Sequence, residues 1–435
     1  MRALTTPLQE LSIYEEIKKA LKKDRANLSL TGCIDSQKLH MIYGLSDGFQ
    51  YKIIVTFSDL KAKELYEDYK FYDRNVCVYP AKDLIFYQAD VHGNQLVTER
   101  IKCLKRIMDR RPTTVITTFS ALMTPQAPLE VFEKNIIRIK KGGEVEEKEL
   151  ARHLTEMGYE KSYQVEAPGQ FSIRGGIIDV FDLTEENPYR IELWGEEVDS
   201  LRSFDILSQR SIEKLESVSI YPATELVLTE TEIAKGMETI EKEAESHEKI
   251  LRGKFLTEEA ARIHTQIKEL KEQIFELKTM VNLESYIHYF FPSTTFLDMF
   301  PEEGSCIFLD EPARIREHAA AVEMEFKDSM SHRLEKGYLL PGQMELLSRT
   351  EEVTAKMLKK RVVSIATMDA KNGVVKPDQK FGVEARSMSS YNSSFEELVK
   401  DLKRYKKNGY RILLLSGSRT RAKRLAQDLQ ENELT

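Results

Sequence analysis

Cysteine is scarce in this chain, with only four among 435 residues. Cys33, Cys77, Cys103 and Cys306 lie far apart and form no C-x-x-C pair, which favours buried free thiols over a disulfide framework or a zinc site. The histidines are also scattered along the sequence. We therefore expect no metal site, no cofactor and a reducing, cytoplasmic location.

Long apolar runs are missing as well. No stretch approaches the roughly 18 consecutive apolar residues that a membrane-spanning helix needs. The amino-terminal sequence also lacks the apolar core and small-residue cleavage site of an export signal. Neither membrane insertion nor export is expected.

The chain has no excess of basic charge, since 64 Lys and Arg are outnumbered by 71 Asp and Glu. A general nucleic-acid binder needs clustered cations, so any DNA contact would be local. The composition, 41% hydrophobic and 31% charged, is typical of a folded protein. Its length exceeds what one core normally holds, so we expect several domains.

Strand and helix signals alternate up to about residue 120, which predicts a mostly parallel sheet. The sequence from Pro125 to about Phe204 is rich in strand signals. Glu- and Lys-rich helices follow at Thr231–Leu251 and Thr257–Met280, each with a narrow apolar seam. Near the end, a helix-strand-helix unit is expected around a buried strand, Tyr410–Leu415.

These signals predict a multidomain α/β protein. Residues 1–122 form the first part of an α/β domain, and residues 123–212 form an inserted β-rich α+β domain. Residues 213–335 complete the first domain with charged helices, and residues 336–435 form a small third α/β domain.

The stretch from Gln170 to Asp205 is the most informative part of the chain. Its β-branched and aromatic runs, separated by turn residues such as Gly175-Gly176, predict a small antiparallel meander. Side chains at turns and strand ends can reach a partner. The candidates here are Arg174, Arg190, Trp194 and Arg202.

This stretch contains three sequence motifs, RGGIIDVF, PYRIELW and GEEVDSLRSFD. They resemble the inserted domain shared by bacterial UvrB and the transcription-repair coupling factors, the Mfd family. In that family the insert docks UvrA, the damage-sensing subunit of nucleotide excision repair. The resemblance implies UvrA as partner and places the docking contacts at Arg174, Arg190 and Trp194. Family members often carry Phe at the third position. Two guanidiniums beside a large ring are also the composition of an interface hot spot.

A purely structural role is the alternative for the two arginines. They would then pair across the strands with Glu192, Glu196 or Asp199 and only stabilise the meander.

The first strand-turn-helix lies where an α/β motor carries its phosphate loop, G-x-x-x-x-G-K-S/T. Here the sequence reads LTGCIDS, with Ile34 in place of the second glycine and Asp35 in place of the lysine. A carboxylate beside a triphosphate is repulsive. With Gly32 and Ser36 as remnants, we predict a degenerate site that binds no nucleotide.

The apolar strand that ends in Asp310-Glu311 resembles the acidic motif that holds Mg²⁺ in such motor proteins. Without a working phosphate loop, we expect these carboxylates to cap the following helix instead. The remaining alternative is that Lys38, one turn after the degenerate loop, reaches back to a phosphate.

Two further sequence motifs, YPAKDLIFY at 79–87 and VITTFSALM at 115–123, support the resemblance, which extends to about residue 330. Because UvrB keeps its phosphate loop, the degenerate one favours the coupling factors. The resemblance implies the amino-terminal, non-enzymatic portion of a longer ATP-dependent DNA translocase, which contacts RNA polymerase and duplex DNA through segments absent here.

The expected function is therefore recruitment of UvrA to stalled transcription complexes in nucleotide excision repair. The alternative is a nucleotide- or DNA-binding, helicase-like fragment. A run of basic residues near the end favours that alternative, since phosphate contacts need clustered cations. Its members are Lys400, Lys403, Arg404, Lys406, Lys407, Arg411, Arg419, Arg421, Lys423 and Arg424.

Overall fold

The computed structural model describes residues 2–82, 93–275, 283–292, 294–369, 372–388, 391 and 394–434, without the side chains at positions 2, 3, 35, 93 and 94. The chain divides into two compact units, residues 1–384 and residues 385–435.

Helices and strands alternate through the first part of the larger unit, as the sequence pattern predicts. In chain order they are α1 (Arg2–Gln9), α2 (Ser12–Leu21), β1 (Asn27–Thr31), α3 (Asp35–Leu45), β2 (Tyr51–Thr56), α4 (Asp59–Tyr69), β3 (Val76–Tyr79), α5 (Gly93–Met108), β4 (Thr113–Thr118), α6 (Phe119–Met123), β5 (Pro125–Gln126) and α7 (Leu129–Lys134).

A β-rich segment follows and contains one helix. Its elements are β6 (Ile137–Lys140), α8 (Glu147–Glu156), β7 (Glu160–Lys161), β8 (Gln170–Arg174), β9 (Ile177–Val180), β10 (Tyr189–Trp194), β11 (Glu197–Phe204), β12 (Ser211–Lys214) and β13 (Ser217–Ile220).

The rest of the chain is mainly helical. Its elements are α9 (Glu230–Gly253), α10 (Thr257–Phe275), α11 (Ile287–Phe290), β14 (Thr294–Thr295), β15 (Ser305–Asp310), α12 (Pro312–Glu335), α13 (Thr350–Met357), β16 (Arg361–Ala366), β17 (Gln379–Gly382), α14 (Phe395–Lys407) and α15 (Arg419–Glu431), with short 3₁₀ helices at Leu283–Tyr286, Phe296–Met299 and Pro341–Glu345.

A seven-stranded sheet organises the larger unit, in the order β17-β1-β16-β15-β2-β4-β3. Every pairing in it is parallel. Helices cover both faces, so Ile53 and Val55 pack into one core while Ile54 between them packs into the other. The predicted multidomain α/β class, with a parallel central sheet and a separate β-rich sheet, is confirmed.

Strands from both sides of the β-rich segment interleave in the central sheet, because β15 and β16 lie between β1 and β2. Parallel strands end at the same edge of a sheet. Gly32 follows β1 and Asp310 ends β15, with only β16 between the two strands. At the usual strand spacing the ends of β1 and β15 are about 10 Å apart.

The β-rich segment forms a second sheet, in the order β12-β11-β10-β9-β8-β7, and a two-stranded sheet of β13 with β6. Its pairings are antiparallel except for β7 with β8. One face of the six-stranded sheet packs on α8, where Phe171, Ile178 and Ile191 join Leu150 and Leu154 in a separate core. The opposite face carries the candidate docking residues.

The two charged helices α9 and α10 pack against each other, and their apolar seam belongs to the main core. The seam includes Ile233, Met237 and Ile240 on α9 and Ile263 and Ile267 on α10. Thr229 and Glu232 form a reciprocal capping box at the start of α9. None of the helices in the described residues is long and apolar enough to cross a membrane.

The boundary expected at residue 336 differs from the structure. β16 and β17 pair with the two edges of β1, so the central sheet runs to Gly382 and the larger unit to Glu384. Val362, Val363 and Ile365 are fully buried there. An apolar run identifies a buried strand, but it does not say which sheet the strand joins.

The smaller unit contains α14 and α15, and the strand predicted at Tyr410–Leu415 is wrong. This segment pairs with no strand in the described residues, and Tyr410, Leu413 and Leu415 are exposed. A strand requires a neighbour that accepts and donates backbone hydrogen bonds. The two helices of this unit offer none.

Candidate functional site

The three residues implicated in docking share the outer face of the six-stranded sheet. On β10, Ile191 is buried and Leu193 packs into the core behind the sheet. Because strand side chains alternate, Arg190 and Trp194 point to the opposite, outer face. Arg174 ends β8, and Asp179 on β9 lies directly opposite Arg190 in the register.

Both arginines bind one carboxylate. Arg174 Nη2 donates to Asp179 Oδ2 at 2.8 Å, and Arg190 donates through Nε to Oδ1 at 2.7 Å and through Nη2 to Oδ2 at 2.8 Å. Asp179 is only 1% exposed. A buried carboxylate needs such charged partners to offset its lost hydration.

The cross-strand partners expected for these arginines, Glu192, Glu196 and Asp199, were the wrong carboxylates. Glu192 instead binds Arg202, whose Nη1 donates to Glu192 Oε2 at 2.8 Å, and Ser200 donates to the same oxygen at 2.5 Å. These hydrogen bonds lower the pKa of Glu192 below its ordinary value. Asp179 was missed, although an acidic residue alternating with the core residues Ile178 and Val180 signals a charge on the outer face.

Arg190 contacts several groups besides Asp179. Its guanidinium lies 4.2 Å from the centre of the Phe204 ring and also donates to Gln209 Oε1 at 2.9 Å. The hydrogen bond to Asp179 raises the pKa of Arg190 above its ordinary value, although burial opposes the charge. The Arg190 side chain is 13% exposed and that of Arg174 is 37% exposed. Arg174 is therefore the more accessible of the two guanidiniums.

Trp194, the single tryptophan of the chain, is 83% exposed. It ends β10, where the turn through Gly195 (φ +66°) leads into β11. The Gly176 carbonyl accepts from the Leu193 backbone N–H at 2.8 Å, so the turn after Arg174 lies beside this end of β10. A large exposed ring and an accessible guanidinium on one face are the composition of an interface hot spot.

The acidic pair at the end of β15 binds a lysine. Lys38 Nζ on α3 donates to Asp310 Oδ1 at 3.1 Å and to Glu311 Oε1 at 2.6 Å. Asp310 Oδ2 accepts from the Thr56 hydroxyl at 3.0 Å. Sequence analysis considered Lys38 as a ligand for a phosphate. In the structure, Lys38 binds these carboxylates within the chain.

The capping role expected for Asp310 and Glu311 is wrong. Glu311 occupies the N-cap position of α12 in a left-handed conformation (φ +54°), but its side chain makes no capping hydrogen bond. Glu311 Oε1 accepts from the Thr367 backbone N–H and hydroxyl, each at 2.9 Å, besides Lys38. With this left-handed backbone, the Glu311 carboxylate binds Lys38 and Thr367 rather than the N-terminus of α12.

The charges in this cluster stabilise one another. Burial opposes a charged lysine, but Asp310 and Glu311 raise the pKa of Lys38 above its ordinary value. Burial would raise the pKa of Glu311, yet Lys38 and Thr367 hold it below its ordinary value. An ammonium thus already occupies the position beside the carboxylates where a motor protein would need a cation.

Gly32 has a packing role at the other half of the degenerate site. Its φ is +82°, and a Cβ added there would lie 2.0 Å from the Val383 carbonyl oxygen. Val383 reaches this position because its N–H donates to Thr31 O at 2.7 Å. Ser36 is exposed on the first turn of α3, and the side chain of Asp35 lies outside the described residues.

An open cleft of about 490 Å³ lies beside the Lys38 cluster. Arg314 lines it with its guanidinium 4.4 Å from the centre of the Phe57 ring, and Lys61 lines it while paired with Glu64 at 3.2 Å. The cleft carries both signs of charge. Among the described residues that line it, there is no glycine to cradle a phosphate chain.

The basic run near the end of the chain lies on α14 and α15 of the smaller unit, except for Arg411, which lies between the two helices. Some of these cations are used within the unit, since Arg404 pairs with Asp401 at 2.8 Å and lies over the Tyr405 ring. Lys403 lies 3.9 Å from Glu433. The run is therefore partly neutralised by neighbouring carboxylates.

The sequence of residues 137–226 matches the family model of the UvrB interaction domain, which spans the docking face. The chain is 31% identical over 362 residues to the transcription-repair-coupling factor of Bacillus subtilis (strain 168), covering 83% of this chain and 30% of that protein. This chain belongs to the transcription-repair coupling factor family.

A second member, the transcription-repair-coupling factor of Staphylococcus aureus (strain MRSA252), is 26% identical over 436 residues, covering 99% of this chain and 36% of that protein. The chain thus spans about a third of the length of these coupling factors.

Proposed function

We propose that this chain recruits UvrA in transcription-coupled nucleotide excision repair, and that it does so without hydrolysing ATP. The observation that carries the proposal is the outer face of the six-stranded sheet, where Arg174, Arg190 and Trp194 lie within the segment matched by the UvrB interaction domain. Contacts with RNA polymerase and duplex DNA are assigned to other parts of the protein.

The docking face supplies two kinds of contact. Trp194 offers a large apolar surface that is 83% exposed, and burying such a ring in a partner pocket is strongly favourable. Arg174 offers guanidinium N–H groups on the same face, which suit a carboxylate on the partner. Arg190, only 13% exposed, lies on the same face and holds the buried Asp179.

Binding of purified UvrA to the chain and its variants tests the proposal. Trp194→Ala and Arg174→Ala are each expected to weaken binding by at least about 30-fold, equivalent to about 2 kcal/mol. Leu207→Ala is the matched control, because Leu207 is 93% exposed but follows the far end of β11. Native affinity in both docking variants would reject this face as the UvrA site.

The absence of ATP hydrolysis rests on the Lys38 cluster and the loop after β1. The Lys38 ammonium already pairs with Asp310 and Glu311, the carboxylates that would bind Mg²⁺, and Val383 packs over Gly32. Isothermal titration with millimolar Mg-ATP should show no saturable heat. The same result is expected for Ile34→Gly combined with Asp35→Lys, since Lys38 and Val383 remain. Micromolar binding by the native chain would overturn this part of the proposal.

A further inference from the structure

Asp179 has an unusual place on the outer face of the six-stranded sheet. It is one of the few carboxylates that are almost fully buried, with 1% exposure, and the groups that bind it are the two arginines implicated in docking. Both of its oxygens are engaged, Oδ1 by Arg190 and Oδ2 by Arg174 and Arg190. A partner protein could therefore not reach Asp179 without displacing an arginine.

The two arginines do not depend on Asp179 equally. Arg190 also packs on Phe204 and donates to Gln209, so its position has other supports. Arg174 donates one hydrogen bond, to Asp179 at 2.8 Å, and leads directly into the turn at Gly175-Gly176, where both glycines have positive φ. Asp179 is thus the contact that sets where the Arg174 guanidinium lies.

We propose that Asp179 is a positioning residue for UvrA docking, one that holds the Arg174 guanidinium on the outer face of the sheet in its binding geometry. This inference rests on the proposed function. An arginine side chain has many rotamers, and ordering one on binding lowers affinity. A buried carboxylate that orders it in the free protein removes that cost and leaves the other guanidinium N–H groups for a carboxylate on the partner.

Charge supports the same arrangement. Two guanidiniums and one carboxylate leave one net positive charge at this point of the face. Without Asp179 the two like charges would repel and separate. The equivalent pair of Glu192 with Arg202 lies on the same face but is more open, with 31% and 23% of the side chains exposed. It provides a matched comparison outside the three docking residues.

The test is a double-mutant cycle on UvrA affinity, measured with the full 435-residue chain. Asp179→Asn is expected to weaken binding about tenfold, mainly through faster dissociation. In an Arg174→Ala background the same substitution should have almost no further effect, because the residue it positions is gone. Glu192→Gln, the control, should change affinity less than about threefold. Asp179→Glu, which keeps the charge, should recover part of the loss.

Each outcome decides a different statement. If Arg174→Ala weakens binding but Asp179→Asn does not, or if the two losses multiply, Asp179 is not a positioning residue. If Arg174→Ala itself binds normally, the docking assignment of the proposed function fails as well. Should Asp179→Asn unfold, as circular dichroism would reveal, Asp179→Glu carries the test, and an affinity loss for Asp179→Glu that is as large in the Arg174→Ala background as in the native chain would overturn the inference.

Discussion

The ammonium of Lys38 lies 3.1 Å from a carboxylate oxygen of Asp310, and the two side chains are 4% and 2% exposed. They come from opposite ends of the larger unit, 272 residues apart in the chain. Their contact joins α3 to the end of β15, on the two sides of the inserted β-rich segment. This edge of the sheet is therefore a place where the two parts of the domain are tied together.

Replacing Lys38 should destabilise the larger unit. Lys38→Met leaves Asp310 buried without its cation, and breaking a buried pair from one side typically costs about 3 kcal/mol or more. Adding Asp310→Asn and Glu311→Gln should recover part of the loss, because no unpaired charge then remains. Urea unfolding followed by circular dichroism measures both changes.

Lys61→Met is the matched control for Lys38→Met. Lys61 pairs with Glu64 at a more open site, where a pair is worth less than about 1 kcal/mol. Equal losses in the two lysine variants would contradict a structural role for the Lys38 cluster.

The buried pair of Arg100 and Glu225 should make stability fall in acid. Burial would raise the pKa of Glu225, but Arg100 and Lys82 hold it well below its ordinary value. A carboxyl with a depressed folded-state pKa contributes stability that is present above its unfolded pKa of about 4.3 and is lost as the pH falls through its folded pKa. The free energy of unfolding should therefore decrease from about pH 5 downward.

Glu225→Gln removes the carboxyl group that takes up a proton in acid. Its free energy of unfolding, measured by urea titration between pH 3 and pH 7, should fall less steeply in acid, by up to about 1.4 kcal/mol per pH unit. The variant is also less stable at neutral pH, because Arg100 loses its partner. Glu64→Gln at an exposed pair serves as control, and an unchanged acid slope in Glu225→Gln would argue against the assignment.

The three docking residues should differ in what they contribute to stability. Arg190→Ala removes two hydrogen bonds to buried Asp179, one to Gln209 and the contact with Phe204, so we expect a loss of about 2 kcal/mol. Arg174→Ala, at a partly exposed pair, should lose less than about 1 kcal/mol. Trp194→Ala should change stability by less than about 0.5 kcal/mol, since the ring is exposed.

Thermal and urea unfolding of the three variants rank these contributions. If the three side chains only contacted the partner, all three substitutions would lose binding without a change in melting temperature. The contacts of Arg190 revise that prediction, so binding data for Arg190→Ala require the unfolding curve beside them. A stability loss in Trp194→Ala as large as that in Arg190→Ala would contradict the ranking.

Gly32 should be intolerant of a side chain for reasons of packing. Gly32→Ala meets an unfavourable positive φ and places Cβ 2.0 Å from the Val383 carbonyl oxygen. Gly48→Ala has a similar φ of +91° with nothing within 4 Å, so it isolates the backbone cost, about 1 kcal/mol. We expect Gly32→Ala to lose at least about 2 kcal/mol more than Gly48→Ala in urea unfolding. Equal losses would mean that Val383 moves aside freely.

The sequence by itself determined the α/β class, the meander and the degenerate loop. Periodicity and turn residues are local properties, and they identify strands such as Ile177–Val180 wherever both neighbours are close in the chain. The departure of Ile34 and Asp35 from a phosphate loop is likewise readable without coordinates, because that motif is contiguous. The candidate docking residues Arg174, Arg190 and Trp194 were also named from sequence words.

Only the tertiary structure decided which charges meet. Asp179 rather than Glu192 binds Arg174 and Arg190, and Asp310 binds Lys38 rather than a helix N-terminus. It also brings the Cys77 and Cys103 sulfurs to 3.1 Å. Ion pairs, sheet order and thiol contacts join residues that chain separation leaves unrelated, and burial selects among them by the cost of an unpaired charge. Sequence patterns report burial and periodicity, which are the same for many possible partners.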